Sequence, residues 1–155
     1  MAVAAGIVGT GSYLPEHVMT NDELARMVET SDEWIRSRVG IRERRIVAKD
    51  EATSDLGARA ARRALDTAGI AAGEVDLLML ATSSPDSIQP PTACHVQREI
   101  GAWRAAVVDV NAVCTGFVYG LSMASDMMRG NPAYRTALVV GAEAYSRILN
   151  WEDRT

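Results

Sequence analysis

Among the residues able to do covalent chemistry in this 155-residue chain, Cys114 has the most suggestive setting. It stands in Asp109-Val110-Asn111-Ala112-Val113-Cys114-Thr115-Gly116-Phe117, between an apolar run that reads as a buried strand and a long helical pattern. A thiol at such a junction meets unpaired backbone N–H groups and the positive end of the helix dipole. Both favour the thiolate, which is the form that attacks an electrophile. A sharp strand-to-helix turn would also present the sulfur at the edge of an open α/β sheet, where ligands bind. The spacing equally allows a plainer reading, a small hydrophobe packed in a core. Cys94, in Pro90-Pro91-Thr92-Ala93-Cys94-His95, opens another helix. Successive residues on a helix do not face one another, so Cys94 and His95 make no nucleophile–base pair, and Cys94 reads as structural. His17, in a turn-rich segment, reads as a surface residue.

A second cluster has charge as its signal. Trp34-Ile35-Arg36-Ser37-Arg38, followed by Arg42, Arg44 and Arg45, is a basic patch in a chain of formal net charge −4. Guanidinium groups bind phosphate and an indole stacks on a flat ring, so the patch suits an anionic ligand with an aromatic base. A solvated, salt-bridged face explains the same residues, and charge alone leaves both readings open. The acidic balance argues against general affinity for nucleic acid or an anionic membrane surface. Two cysteines without a C-x-x-C spacing imply neither a disulfide framework nor a zinc site. No metal is expected. No stretch of about 18 apolar residues is present to span a bilayer. The apolar start, Met1 to Gly11, lacks the basic region and length of a signal peptide, so a reducing cytoplasm is the expected location.

The elements that must position these residues can be read from periodicity. Val3–Gly9 reads as a first buried strand, closed by the turn Thr10–Pro15. Thr20-Asn21-Asp22-Glu23 and Thr30-Ser31-Asp32-Glu33 each place a hydroxyl three residues ahead of a glutamate, predicting capping boxes and short helices from about 21 and 31. Ser54–Ala68 carries Leu56, Ala60, Ala61, Ala64, Leu65 and Ala68 at helical spacing, with Gly69 as a stop. Val75–Ala81, Ala105–Val110 and Thr136–Ala142 are apolar runs without alternation, as in strands covered on both faces. Pro91–Ile100 and Thr115–Arg129 read as helices. Strands alternating with helices imply a parallel sheet with right-handed crossovers in one globular domain over residues 1–155. The last helix carries Phe117, Val118, Leu121, Met123, Ala124, Met127 and Met128, and Asp126 is its first charge. It is expected to be buried between layers, with Gly116 and Gly120 allowing close backbone approach. Alone, such a chain would expose a large apolar patch and aggregate or pair.

Taken together, these segments resemble the β-ketoacyl-acyl-carrier-protein synthase III family. The similarity runs from Gly9-Thr10-Gly11-Ser12-Tyr13-Leu14-Pro15 through Thr30-Ser31-Asp32-Glu33-Trp34-Ile35 and Gly40-Ile41-Arg42-Glu43-Arg44. It continues with Ala81-Thr82, Cys114-Thr115-Gly116-Phe117 and Leu138-Val139-Val140-Gly141. The resemblance implies a thiolase-like layered α/β fold, of which this chain is the N-terminal half, the fold being a duplication. It implies a cysteine nucleophile at Cys114 that takes an acyl group from acyl-coenzyme A. A decarboxylative condensation with malonyl-acyl carrier protein would follow, starting fatty-acid or polyketide synthesis. Coenzyme A enters as a thioester substrate, with no resident cofactor. By the same resemblance Trp34 would stack on the adenine with Arg154 on its other face, and Thr30 and Arg38 would make further coenzyme A contacts.

The family's catalytic histidine and asparagine are expected in a C-terminal half that this chain lacks, and neither His17 nor His95 matches that position. The implied partners are therefore acyl-coenzyme A, acyl carrier protein, the C-terminal half of the same fold and a second copy in a homodimer. Gln89, in Asp86-Ser87-Ile88-Gln89-Pro90-Pro91, corresponds to the loop that reaches into the partner's acyl pocket. Some members selective for short primers carry phenylalanine there, so Gln89 implies a branched, longer or polar primer. Two other readings use the same residues. One is an acyltransferase to an oxygen or nitrogen nucleophile in natural-product biosynthesis. The other is a non-catalytic partner subunit of the same fold.

Overall fold

A computed structural model of the protein describes residues 5–153. They fall into two compact units, one formed by Ala52–Glu143 with the stretch up to Tyr13, the other by Leu14–Glu51 with the segment from Ala144. The larger unit is a three-layer sandwich. Its parallel sheet has the order β4-β3-β5, with β3 at Leu77–Ala81, β4 at Ala106–Val110 and β5 at Ala137–Gly141. Leu78 pairs with Val107 on one side and Leu138 on the other. Helices α3 (Thr53–Ala68) and α4 (Thr92–Ile100) share one hydrophobic cluster with the sheet, and α5 (Gly116–Gly130) packs in a second.

The pleat sorts side chains between those layers. Leu78 and Leu80 join Leu138, Val140, Ala58, Ala61, Leu65, Ala93 and Val96 on the α3/α4 side. Leu77 and Met79 join Val108, Val139, Ala124 and Met127 on the α5 side. All five residues of β3 are buried, which is why its sequence shows an unbroken apolar run. Each leucine buried this fully contributes roughly 1.5–3 kcal/mol through the hydrophobic effect. The crossovers α4 and α5 lie on opposite faces, as same-handed connections running in opposite directions across a sheet require. Gly69 and Gly101 end α3 and α4 in the left-handed conformation, at φ 66° and 77°.

The smaller unit has an antiparallel pair, β1 (His17–Thr20) with β2 (Glu43–Ile46), and two short helices, α1 (Asn21–Leu24) and α2 (Asp32–Val39). Its centre is one buried polar residue. Asn21 donates from Nδ2 to Asp32 Oδ1 at 2.8 Å and to the Ile41 carbonyl at 2.9 Å. Its Oδ1 accepts from Arg44 Nη2 at 2.6 Å, so one side chain ties α1, α2 and β2 together. The bond from Asn21, followed by the Arg36 guanidinium, holds the Asp32 carboxyl below its ordinary pKa.

Four expectations change. Residues 5–9 form no regular element and expose Ile7 and Val8, while residues 3 and 4 of the expected first strand lie outside the described residues. A strand is defined by its ladder, and none of the described residues 5–9 takes part in one. The capping box at Thr20 forms, with both reciprocal bonds to Glu23, but α2 is capped by Ser31, whose Oγ accepts from Trp34 N at 3.1 Å. The hydroxyl one residue later has the geometry to reach the third helical N–H. The pairing of β1 with β2 went unforeseen because both strands are only four residues long and neither is an apolar run. Finally, α5 buries Gly116, Gly120 and Ala124 but leaves Phe117, Val118, Tyr119 and Met123 exposed, so it is not enclosed between layers in this chain.

At the N-terminal edge of the sheet, Asp76 joins three segments. Its Oδ2 accepts from the amides of Arg135 and Thr136 at 2.9 and 3.1 Å, and Arg104 lies 3.4 Å from Oδ1. The Arg135 amide does most to hold this carboxyl below its ordinary pKa, against the opposing effect of burial. A carboxyl depressed on folding stabilises the protein above its unfolded-state pKa, and that contribution is lost as pH falls through the lower folded value. The intact protein is therefore expected to exceed Asp76→Asn in stability at about pH 7, with the difference shrinking below about pH 4. Urea unfolding across that range checks it; a gap independent of pH would show that the charge on Asp76 contributes nothing.

Candidate active site

Three helices of the larger unit begin at the C-terminal edge of its sheet, and each brings unsatisfied N–H groups there. Two are capped by carboxylates from other parts of the chain. The first turn of α3 receives Asp86, whose Oδ1 accepts from Ser54 N at 3.1 Å. The first turn of α4 receives Asp109, near the C-terminal end of β4, which accepts from Thr92 N and Ala93 N, both at 2.7 Å. The third, α5, has no side-chain cap: Thr115 turns its hydroxyl back onto the Ala112 carbonyl at 2.8 Å. Cys114 sits immediately before this uncapped start, in the 3₁₀ turn Val113–Thr115, and is exposed. The positive end of α5 is thus left to whatever negative charge develops at or beside the sulfur.

The turn that presents Cys114 is forced. Val113 has φ 48°, the one non-glycine residue at positive φ among those described. A β-branched side chain in the left-handed region costs about 1–2 kcal/mol. The constraint comes from beneath. A Cβ on Gly116 would lie 3.2 Å from the Ala81 Cβ, so α5 starts directly on top of β3, and the chain must reverse within a few residues of Val110. Phe117 packs against Gly141, where a Cβ would come within 3.3 Å of the ring. Thr82 N donates to the Val110 carbonyl at 3.1 Å, closing the edge between the two loops.

The other anticipated residues divide between the units. Gln89 is exposed in the loop from Thr82 to Pro91, which leaves the same sheet edge as Cys114, and it precedes a cis peptide bond to Pro90. In the smaller unit Trp34 and Arg38 stand one turn apart on α2, so they share a face; Trp34 is half-exposed and Arg38 exposed. Thr30 is partly buried just ahead of the Ser31 cap. Arg154 lies outside the described residues. Cys94 is partly buried within α4 and His17 is exposed on β1. The basic patch proves to be of mixed use. Arg44 donates to Asn21 and to the Thr20 carbonyl at 3.1 Å, Arg45 to the Pro15 carbonyl at 3.1 Å, and Arg36 pairs with Asp32 at 3.4 Å. Arg44 and Arg45 link separate segments of the small unit, while Arg36 pairs within α2. Among the described residues no group of three or more His, Cys, Asp and Glu side chains is arranged to hold a metal ion, and no helix is long and apolar enough to cross a membrane.

Sequence reasoning missed the capping roles of Asp86 and Asp109. The available signal was an aspartate inside or beside an otherwise apolar or turn segment, each just ahead of a helix start elsewhere in the chain.

Comparison with known proteins bears on the family and the fold. Residues 108–155, which include Cys114, match the family model described as 3-oxoacyl-[acyl-carrier-protein] synthase III. A β-ketoacyl-[acyl-carrier-protein] synthase III of Xanthomonas campestris pv. campestris is 54% identical over 149 residues, 96% of this chain and 46% of that protein. The crystal structure of 3-oxoacyl-[acyl-carrier-protein] synthase III from Aquifex aeolicus superposes with a TM-score of 0.90 at 43% identity, over 96% of this chain and 47% of that one. The priming β-ketosynthase of a polyketide biosynthetic pathway also gives a TM-score of 0.90, at 36% identity over 96% and 44%. The fold is thus the thiolase-like layered α/β fold, and the chain spans about half the length of the curated relatives it matches.

Strain at Val113 predicts an inverted order of two substitutions. Both Val113→Ala and Val113→Gly remove the isopropyl group, but only glycine adopts a positive φ without cost. In the intact protein the glycine variant is expected to be the more stable by about 1 kcal/mol, although glycine ordinarily loses more entropy on folding. Thermal unfolding of the pair decides it, and an alanine variant as stable as the glycine one would remove the strain from the account.

Proposed function

We propose, since this chain belongs to the β-ketoacyl-acyl-carrier-protein synthase III family, that it supplies the acyl-loading half of a condensing enzyme, with Cys114 as the nucleophile. The observation that carries this reading is the exposed Cys114 before the uncapped N-terminus of α5, beside two helices whose starts are capped by aspartates. The Cys114 thiolate attacks the carbonyl carbon of an acyl-coenzyme A thioester. The bond to the coenzyme A sulfur breaks, coenzyme A leaves as a thiolate and takes up a proton, and the acyl group stays on Cys114. N–H groups at the start of α5 can stabilise negative charge developing on the carbonyl oxygen. The carbanion formed by loss of carbon dioxide from malonyl-acyl carrier protein then attacks the acyl carbonyl and releases Cys114. The groups that stabilise that carbanion are expected in the remainder of the whole protein.

The shared face of Trp34 and Arg38 supports coenzyme A as the acyl carrier, since an indole stacks on adenine and a guanidinium binds phosphate. Thr30 and Arg154 complete that proposed contact set. A homodimer, in which Gln89 borders the partner's acyl pocket, and a cytoplasmic location belong to the same proposal.

Intact-mass spectrometry of the full-length protein with a panel of acyl-coenzyme A thioesters tests the reading. An acyl adduct that maps to Cys114 and disappears in Cys114→Ala is expected. No adduct with any thioester on folded protein would overturn it in favour of a non-catalytic subunit. An adduct that forms, yet is not consumed by malonyl carrier protein with release of carbon dioxide, would instead point to acyl transfer onto an oxygen or nitrogen nucleophile.

The polar Gln89 adds a prediction about the primer. Branched, longer or polar acyl-coenzyme A is expected to load with a higher kcat/KM than acetyl-coenzyme A. Competition between the two for the full-length enzyme measures it, and a clear preference for acetyl would refute the assignment of Gln89.

A further inference from the structure

The loop that carries Gln89 is held at its base by a carboxylate with no place in the loading chemistry. Glu143 follows β5 by two residues and leaves the same sheet edge as Cys114. Its Oε1 accepts from Ser83 N at 2.9 Å and Ser83 Oγ at 2.8 Å. Its Oε2 accepts from Thr82 Oγ1 at 3.3 Å and from Ser84 Oγ. Four donors from three successive residues thus converge on one side chain. Thr82 Oγ1 in turn accepts from Ser84 N at 3.1 Å, and the Ser84 carbonyl accepts from Thr53 Oγ1 at 2.5 Å.

The arrangement lies just past the parallel ladder of β3 and β5, whose last pair is Ala81 with Gly141. What the carboxylate fixes is the direction in which the chain leaves β3. At its far end the loop is fastened again, with Asp86 N donating to Thr92 Oγ1 at 3.0 Å and Asp86 capping α3. Ile88, 92% exposed, and Gln89 form the tip between Asp86 and Thr92, spanned by a hydrogen bond from Ser87 Oγ to the Pro90 carbonyl at 2.9 Å. Charge-assisted bonds are short and directional, so a carboxylate holds such a base more narrowly than neutral partners would. The neighbouring edge is equally tight: Ala81 contacts the start of α5 at Gly116, and Gly141 contacts Phe117.

We propose that Glu143 is a positioning residue that fixes the base of the Thr82–Pro91 loop and so sets where Gln89 stands and which acyl primers are accepted. The inference rests on the acyl-loading reading of Cys114 and Gln89. Glu143 acts through the loop and touches no substrate.

The test uses the full-length enzyme with Glu143→Ala and Glu143→Gln. In the alanine variant, amide exchange over residues 83–90 is expected to rise about tenfold or more, since the Ser83 amide loses its acceptor. The ratio of kcat/KM for a longer acyl-coenzyme A over acetyl-coenzyme A is expected to shift at least about threefold, a change within reach of small pocket rearrangements. The glutamine variant keeps an oxygen for the Ser83 N–H and an amide for the hydroxyls but loses the charge, so its ratio should fall between wild type and the alanine variant. Should Glu143→Ala fail to fold, Ser83→Ala combined with Ser84→Ala removes hydroxyl donors from the other side and should shift the same ratio. A folded variant whose primer ratio equals wild type overturns the proposal while leaving the loading reading intact. A wild-type enzyme that no thioester acylates overturns both.

Discussion

The close seat of α5 on the sheet is the constraint on which the rest depends. Gly116 and Gly120 bring the helix so near that a Cβ on either would stand 3.2 Å from a side-chain carbon of Ala81 or Val139. That approach determines how soon the chain must turn after β4, and the turn is bought with a valine at positive φ. The reversal lifts Cys114 out at the sheet edge. A helix set farther from the sheet, with alanine at 116, would relax the turn and lose the placement of the sulfur. Packing density on one face therefore decides the geometry of the chemistry at its end.

Electrostatics at that edge follow from the same layout. Parallel strands and the helices that return to them concentrate helix N-termini at one end of the sheet, where ligands in such folds are bound. Unsatisfied N–H groups are costly when left without partners, and Asp86 and Asp109 meet that cost for α3 and α4. The start of α5 has no such side chain on its N-cap residue, and the exposed thiol of Cys114 stands beside it. Glu143 adds a further carboxylate, but it faces the Thr82–Ser84 hydroxyls and directs a loop. Three carboxylates at one edge thus have separate structural tasks, and none is spent on α5. At the opposite edge Asp76 gathers amides from the segment before β5, which keeps the strand ends in register where no ligand is expected.

The smaller unit follows a different logic. It buries Asn21 and little apolar surface besides Ile35, so its order comes from hydrogen bonds that link segments far apart in sequence. Arg44 is spent on that interior, and Arg45 on the Pro15 carbonyl. Trp34 and Arg38 remain on an accessible helix face. A patch that charge alone could not interpret is thereby divided into residues that build the unit and residues able to meet a ligand.

Local chemistry was enough to read most elements of the larger unit. The apolar runs of β3, β4 and β5 and the helical spacing of α3 depend on pattern within a single element, as do the glycine stop at Gly69 and the strand-to-helix position of Cys114. Such patterns are written into consecutive residues because one element must bury one face or two. The sequence could not reveal the β1–β2 pairing, because its partners lie more than twenty residues apart and neither strand is apolar. The same holds for the cap on α2, where two adjacent hydroxyls competed and backbone geometry chose Ser31. It holds for the Val3–Gly9 segment, whose composition suits a strand but whose described residues have no ladder. The roles of Asp86, Asp109 and Glu143 also had to wait for the fold, since each is defined by N–H and hydroxyl groups on a different element. The sequence by itself determined which residue could be a nucleophile and what kind of element would present it. Only the tertiary structure decided which helix start was left uncapped and which carboxylates were occupied, because those are relations between chain segments that only folding brings within hydrogen-bonding distance.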